Sequence, residues 1–453
     1  MDHPTPTRVE PAQTANHPDL TDAQREGIGK VVDWYSDRSA DQVFRLFGYA
    51  GTGKTFLLRH IVDALDVDPD RVLYGAYTGK AAHVMRSKGI PDARTIHSII
   101  YMIEERSRAH LIALEQARRK IDDIPEFALI PADVARRLQL EADIATERRR
   151  LARPRFRLNL DSKLAAASLL VLDEVSMVDE RMAHDLLSFG VRILVLGDPA
   201  QLPPVGGEGY FTAATPDHLL TQVHRSALDS AVTRIATAVR HAPPGDMLLG
   251  VHGPDDGSGR FASWTPEVLL GHDVVLCWTN KLRWTLIAQI RAMRGLHGAI
   301  PQMGDTMIVL VNDVDADVFN GQTFDVLGAV PSPEDPSILE VVVADERHGA
   351  RILDVFADGF TGHSGEADAR ERAFRTHRAA VAATFGQAIT VHKAQGSQWE
   401  QVMVLDQSPG LYHRTLASAP TSPDAAHAAA RCWLYTAVTR AASRVTIVAP
   451  GRI

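Results

Sequence analysis

Cysteine is nearly absent: Cys277 and Cys432 are the only two in 453 residues. Two thiols build neither a disulfide framework nor a zinc cluster, and they suit a reducing, cytoplasmic setting. Lysine is scarce as well. Only eight of the 48 basic residues are lysines, a bias that a GC-rich genome explains. No apolar run approaches the roughly 18 residues needed to span a membrane, and the N-terminus lacks the apolar core of a secretion signal. An excess of positive charge is missing too, since the net charge is −8. That excludes a uniformly basic surface but leaves room for a basic groove. No internal repeat is visible. Residues 1–19 are polar, carry Pro4, Pro6, Pro11 and Pro18, and are predicted to be a disordered tail.

What is present is an ordinary globular mixture, 45% hydrophobic and 23% charged. It suffices for a sizeable core and, at roughly 150 residues per domain, for about three domains. Short buried strands alternate with helices. Arg45-Leu46-Phe47 ends a strand, a glycine-rich turn follows, and Phe56 to Leu65 is helical. Val72 to Tyr77, Leu169 to Leu172 and Ile193 to Leu196 are further strands. Such alternation predicts a parallel α/β sheet with functional residues at the carboxyl ends of its strands. A second α/β set begins near Val274-Val275-Leu276 and resumes at Gln387 to Thr390, Val402 to Leu405 and Val445 to Val448.

Three stretches break the alternation. Residues 101–157 read as helical, with Val134, Leu138, Ala142 and Ala145 at helical spacing. Their 13 basic and 10 acidic residues suit either a solvated helical arm or an insertion that touches nucleic acid. Residues 303–385 have β character. There Thr306 to Val311 and Thr323 to Leu327 flank Asn320-Gly321, a hairpin signal, so a small inserted barrel is expected. Residues 407–431, rich in Ala, Pro and Ser, read as a long loop.

The chemistry sits at the strand ends. Gly48-Tyr49-Ala50-Gly51-Thr52-Gly53-Lys54-Thr55 matches the phosphate-binding pattern G-x-x-x-x-G-K-[ST] between a strand and a helix. Its glycines let backbone N–H groups cradle phosphates, Lys54 would reach the β/γ-phosphates of ATP, and the Thr55 hydroxyl would bind Mg²⁺. Leu170-Val171-Leu172-Asp173-Glu174 is a buried strand ending in two acids. Asp173 suits the Mg²⁺ shell and Glu174 a general base for water. In Gly197-Asp198-Pro199-Ala200-Gln201-Leu202-Pro203-Pro204, Gln201 could sense the γ-phosphate. Gln24 precedes the phosphate loop, where an amide could pair with adenine, although taken alone it reads as a surface residue. Arg225 and Arg440 fall at the ends of the two α/β sets. Arginines from a second domain can stabilise a transferring γ-phosphoryl group when a cleft closes; a surface ion pair is the default for either one. Trp278, Trp284 and Trp433 could stack bases, but core packing is the better expectation for each.

Taken in order, further motifs join these. They are Tyr77-Thr78-Gly79-Lys80-Ala81-Ala82, Thr95-Ile96-His97, Gln222-Val223-His224-Arg225, Thr390-Val391-His392-Lys393-Ala394-Gln395-Gly396-Ser397 and Tyr435-Thr436-Ala437-Val438-Thr439-Arg440-Ala441. The full set, from about residue 20 to 450, resembles the superfamily 1 DNA helicases, in particular the RecD/Dda-like branch. The resemblance implies an α/β fold of two RecA-like domains. The first would comprise 20–100 and 158–226, with a helical insertion at 101–157. The second would comprise 227–302 and 386–453, with an SH3-like barrel at 303–385. It implies ATP between the two domains, held by Gln24, Gly48, Ala50, Gly51, Thr52, Gly53, Lys54, Thr55 and Gly396, with Lys54, Glu174, Gln201, Arg225 and Arg440 catalytic. Single-stranded DNA would cross both domains on Thr78, Lys80, His97, Thr279, Asn280, Thr390, His392 and Lys393, as backbone contacts that read no sequence. The branch moves 5′ to 3′. A monomer acting at single-strand/duplex junctions follows, serving replication, repair or recombination in a bacterial or phage-infected cytoplasm, with or without protein partners. In that branch the first insertion often carries a strand-splitting hairpin, whereas 101–157 reads helical. A translocating subunit that does not unwind alone is therefore the rival expectation.

Overall fold

The computed structural model describes residues 20–448 except 91, 104–108, 126–127, 129, 153–155, 205–206, 223–229, 243–258, 262–264, 314, 346–348, 376–379 and 419–421. The tail 1–19 and Arg225 thus lie outside the described residues. No described helix is long and apolar enough to cross a membrane. The chain divides into two compact units, one of Met1–Ile100, Leu160–Leu286 and Ala388–Ile453, the other of Tyr101–Asn159 and Ile287–Gln387.

The first unit holds two all-parallel sheets. In one, the strand order is Arg94–Thr95, Val72–Ala76, Leu169–Asp173, Arg192–Gly197, Val43–Gly48, His218–Leu220. The other runs Ala388–Thr390, Val274–Cys277, Trp399–Leu405, Ala441–Val448, Gly259–Phe261. Continuous apolar runs such as Leu169–Asp173 are buried along their whole length, as strands covered on both faces must be. Parallel register aligns the strand ends. Ala76 pairs with Asp173, Phe47 with Gly197, and Cys277 with Thr390, so the loops that follow gather on one edge of each sheet.

The segment 407–431 corrects the sequence expectation. It is not a loop but two helices, Ser408–Ala417 and Pro423–Val438. Pro409 and Pro423 stand in first turns, where a missing N–H costs nothing, and the Ser422 hydroxyl caps the second helix by accepting from Ala425 N (3.2 Å). Alanine here is a helix former. The second helix buries Trp433 completely, as expected for core packing. Trp278 and Trp284 are half-buried, with the guanidinium groups of Arg414 and Arg283 each 5.3 Å from the respective ring centroid.

In the second unit the inserted β segment forms a five-stranded antiparallel sheet. Its order is Gly349–Phe356, Ile338–Asp345, Thr323–Pro331, Thr306–Val309, Ala383–Phe385. A bridge between Val355 and Val381 curls the two end strands together. The expected strands do pair, Met307 facing Phe324, but Asn320-Gly321 is not a two-residue turn. The connection runs from 310 to 322 and carries its own bridge, Asp313 to Val318, while Gly321 (φ 85°) returns its N–H to Val309 O. Residues 101–157 are helical as expected, in Ala109–Asp122 and Pro131–Ala152, and a two-strand ribbon of Tyr101–Ile103 and Phe156–Leu158 closes their base. The stripe that marked the longer helix faces water: Val134 is 42% and Leu138 59% exposed, while Leu140, Ile144 and Glu147 are buried. The helical spacing is as expected, and this helix packs on His363–Arg375 with its other side.

Gly359 is fixed by close approach, since a Cβ there would stand 1.9 Å from the carbonyl oxygen of Ala383. Gly359→Ala should therefore destabilise this unit by about 1–3 kcal/mol through overpacking. Urea unfolding followed by circular dichroism checks it, and an unchanged midpoint would contradict the close approach.

Candidate nucleotide site

Each site residue takes its place from a strand end. Strand Val43–Gly48 runs into the phosphate loop, and helix Lys54–Leu65 starts directly after Gly53. Gly51 and Gly53 hold φ of 81° and 78°, left-handed values that turn successive N–H groups the same way. A Cβ at Gly48 would meet Thr52 Oγ1 at 2.5 Å. The loop is therefore a backbone cradle opening at a helix N-terminus, the arrangement that binds phosphate. Lys54 Nζ donates to the loop's own carbonyls, Gly48 O (2.5 Å) and Tyr49 O (3.2 Å). Thr52 Oγ1 donates to Tyr49 O (2.8 Å).

Asp173 lies at the end of the neighbouring buried strand and is itself buried. Thr55 Oγ1 donates to its Oδ2 (3.1 Å), and Glu174 N donates to its Oδ1 (2.8 Å). Burial first, and the Glu174 carboxylate second, push the Asp173 carboxyl above the ordinary range, against the pull of Lys54 and these two hydrogen bonds. Asp198, also buried, is raised by burial, again against Lys54. The Lys54 ammonium thus pulls on two buried carboxylates. Beside the Thr55 hydroxyl, such an oxygen-rich and charge-deficient pocket fits a hard divalent cation. Glu174 is half-buried and holds φ 55°, ψ 45°, a left-handed conformation uncommon outside glycine. Such strain survives where the surroundings over-determine it, as at sites of function.

Gln24 corrects its surface reading, since it is 1% exposed. Its Oε1 accepts from Thr21 N (3.0 Å) and the Thr21 hydroxyl accepts from Gln24 N (3.3 Å), closing a capping box for helix Asp22–Ser36. Its Nε2 donates to Thr52 O (3.0 Å), which ties that helix to the phosphate loop. The Thr-x-x-Gln spacing carried this signal. Gln201 is buried, and its Oε1 has no hydrogen-bond partner among the described residues. Gly396 (φ 74°) packs on the first sheet's edge: a Cβ there would stand 2.6 Å from Thr78 Oγ1 and 3.4 Å from Ala81 Cβ.

Arg440 is buried, and its guanidinium meets only neutral acceptors in the bonds it makes: Thr436 O (3.1 Å), Ser397 O (3.3 Å) and Thr439 Oγ1 (3.2 Å). Sequence reasoning passed over four contacts that bring the second sheet's helices to the phosphate loop and to the loop 198–202. The Tyr435 hydroxyl donates to Asp198 Oδ2 (2.7 Å) and accepts from Ala50 N (2.9 Å). The Arg240 guanidinium lies 3.5 Å from the centroid of the Tyr49 ring. Leu202 N donates to Thr436 Oγ1 (2.8 Å). Tyr435 stood inside a recognised motif, but nothing in its spacing tells where a hydroxyl will point.

A second group lines other strand ends. Thr78 caps helix Gly79–Ser87 by accepting from Ala81 N (3.1 Å), with Lys80 in that helix's first turn. His97 packs edge-on to Tyr77, their ring centroids 6.1 Å apart. Thr279 accepts from Leu282 N (3.3 Å) at the head of helix Asn280–Met293, and Thr390 precedes the short helix Val391–Ala394 that carries His392 and Lys393. Burial pushes the imidazoles of both His97 and His392 below the ordinary range, so at neutral pH they offer hydrogen bonds and no charge.

Gln24→Ala should cut nucleotide affinity severalfold while the chain stays folded, because the lost bond (~1 kcal/mol) steadies the loop and not the core. Titration with a fluorescent nucleotide, beside a thermal melt, measures both.

Comparison with known proteins identifies the family. An AAA domain family model matches residues 19–251, a little over half of the chain. A UvrD-like helicase C-terminal domain model matches residues 385–448. The ATP-dependent RecD2 DNA helicase of Deinococcus radiodurans is 31% identical over 303 residues, 62% of this chain and 36% of the relative. Protein R530 of Acanthamoeba polyphaga mimivirus is 25% identical over 181 residues, 38% and 31% of the two chains. The chain spans about a third of the length of the curated relatives it matches. A crystal structure of Bacteroides Pif1 bound to ssDNA superposes with TM-score 0.48 at 17% identity, over 94% of this chain and 92% of that one. The chain belongs to the superfamily 1 helicases, of the RecD-like type.

Proposed function

We propose that this chain is an ATP-driven motor that moves on single-stranded DNA, 5′ to 3′, and separates duplex ahead of it. The observation that carries the reading is the phosphate loop, met by Tyr435 from the helix that ends just before Arg440. The domain assignment behind it takes 20–100 with 158–226 and 227–302 with 386–453 as the two RecA-like domains. The inserted barrel at 303–385 takes the SH3-like role and 101–157 that of the first insertion. The D. radiodurans relative is named an ATP-dependent DNA helicase, which supports the activity. The direction of movement rests on the family resemblance.

In this reading the loop amides hold the phosphate tail, and Lys54 exchanges its carbonyl acceptors for phosphate oxygens. Mg²⁺, held by Thr55 and Asp173, would neutralise developing phosphate charge. Glu174 takes the proton of the attacking water, Gln201 orients that water, and Arg440, together with Arg225, stabilises the transferring group. Thr78, Lys80, His97, Thr279, Asn280, Thr390, His392 and Lys393 grip the DNA backbone. Gly396, packed on Thr78, belongs with that track in position and would link it to the nucleotide cleft. The protein works as a cytoplasmic monomer at single-strand/duplex junctions. A translocase that does not unwind alone is the second reading. It is favoured by the helical make-up of 101–157, whose only described strands are the ribbon at its base.

Four outcomes are expected. Lys54→Ala and Glu174→Gln should abolish ATP turnover, Glu174→Gln still binding nucleotide; near-normal turnover in either would sink the site assignment. Arg440→Ala should cut turnover on the order of 10³-fold with a smaller loss of ATP affinity. Lys393→Ala should weaken single-strand binding and DNA stimulation and spare basal hydrolysis. His392→Gln should leave the salt dependence of binding unchanged, because a neutral imidazole releases no counterion. ATPase assays against DNA concentration, with strand displacement on tailed duplexes of both polarities, decide these points and separate the two readings.

A further inference from the structure

We propose that Tyr435 is a positioning residue whose hydroxyl ties the leading turn of the phosphate loop to the loop carrying Gln201, so that the two act as one body. The inference rests on the ATPase reading above and adds a residue to it. Tyr435 sits near the end of helix Pro423–Val438 and is 2% exposed. Its one O–H donates to Asp198 Oδ2 (2.7 Å), and its oxygen accepts from Ala50 N (2.9 Å). A phenol hydroxyl has one proton to give, and both directions of bonding are in use. Burial and the Asp198 carboxylate hold the phenol far above its ordinary range, so it remains the donor.

The other contacts of residues 198–202 give this link its consequence. Asp198 Oδ1 accepts from Ala200 N (3.0 Å). Leu202 is held on both sides, its N–H by Thr436 Oγ1 (2.8 Å) and its carbonyl by Gln395 Nε2 (2.9 Å). Gln201 therefore lies between two pins, Asp198 and Leu202, with its buried Oε1 left without a partner among the described residues. Both pins run to the same helix, through the adjacent residues Tyr435 and Thr436. The Thr436 carbonyl also accepts from Arg440 Nε (3.1 Å). One helix end thus sets the phosphate loop turn, the Gln201 amide and the arginine together. Moving that helix away must release Ala50, Asp198 and Leu202 in the same step.

The test is Tyr435→Phe in the full chain, which keeps the buried ring and deletes only the hydroxyl. With saturating single-stranded DNA, kcat should fall on the order of tenfold while KM for ATP changes less than about twofold. Asp198→Ala removes the acceptor and breaks the same link from the other side, so the double variant should be no slower than the slower single one. Hydrogen exchange at the Ala50 amide should speed up in Tyr435→Phe while the core strands stay protected. Unchanged kcat, fully additive losses in the double variant, or a drop in kcat matched by a drop in folded fraction would each overturn the proposal. A wild type with no turnover on any single strand would remove the ATPase reading instead. Ala50 exchange would then decide the link alone, unaltered protection in Tyr435→Phe refuting it.

Discussion

Two carboxylates, Asp173 and Asp198, are buried around a single ammonium, Lys54, and the nucleotide site follows from that imbalance. A buried carboxylate is tolerated only with hydrogen-bond donors or a cation beside it. The fold supplies donors: Thr55 and the Glu174 amide for Asp173, Tyr435 and the Ala200 amide for Asp198. Among the described residues, Lys54 is the one cation that lowers the titration of both carboxylates. Lys54 in turn spends its protons on the carbonyls of its own loop. The pocket is thus short of positive charge while its backbone is shaped for anions, a combination satisfied by a phosphate chain that arrives with a divalent cation.

Parallel strands make this concentration possible. Because every strand of a parallel sheet ends on the same side, loops far apart in sequence meet there without any long-range guidance. Ala76 and Asp173 are register partners, and so are Cys277 and Thr390, so the phosphate edge and the candidate DNA edge are both consequences of pairing. The second sheet's helices then complete the first sheet's loop. Tyr435 and Arg240 reach Ala50 and Tyr49, and Gly396 is forced to lack a side chain by Thr78 at 2.6 Å. Gly396, a candidate nucleotide position, and Thr78, a candidate DNA position, are therefore in contact through packing.

What could be read from the sequence was whatever is local. Strands Leu169–Asp173 and Arg192–Gly197 announce themselves as apolar runs, and Gly48–Thr55 carries its geometry in its own glycines. What was missed was partly local and partly tertiary. The helices Ser408–Ala417 and Pro423–Val438 looked like loop because proline was counted as a breaker, whereas in a first turn it starts a helix. Val134 and Leu138 gave the right period for Pro131–Ala152, but a period does not say which face finds a partner. Asn320-Gly321 marked a hairpin whose strands do pair, while the connection holds a further bridge, Asp313 to Val318, that no local signal announced. Gln24 was legible as one half of a Thr-x-x-Gln cap, yet its bond to Thr52 O joins residues 28 apart.

Tyr435 shows the same limit at the centre of the site. It lies within the run 435–441 that identified the family, and there the arginine drew attention because phosphate chemistry needs a cation. The hydroxyl matters for a different reason. A tyrosine can accept from one partner while donating to another, so it can relay between two backbone segments that could not bond each other directly. Phenylalanine would fill the same core volume and leave Ala50 N and the buried Asp198 Oδ2 without this partner. The cost of those two orphaned groups falls only when the helix is seated against the loop. The hydroxyl therefore contributes little to folding the helix itself and much to holding the seated arrangement in which Gln201 and Arg440 are placed together.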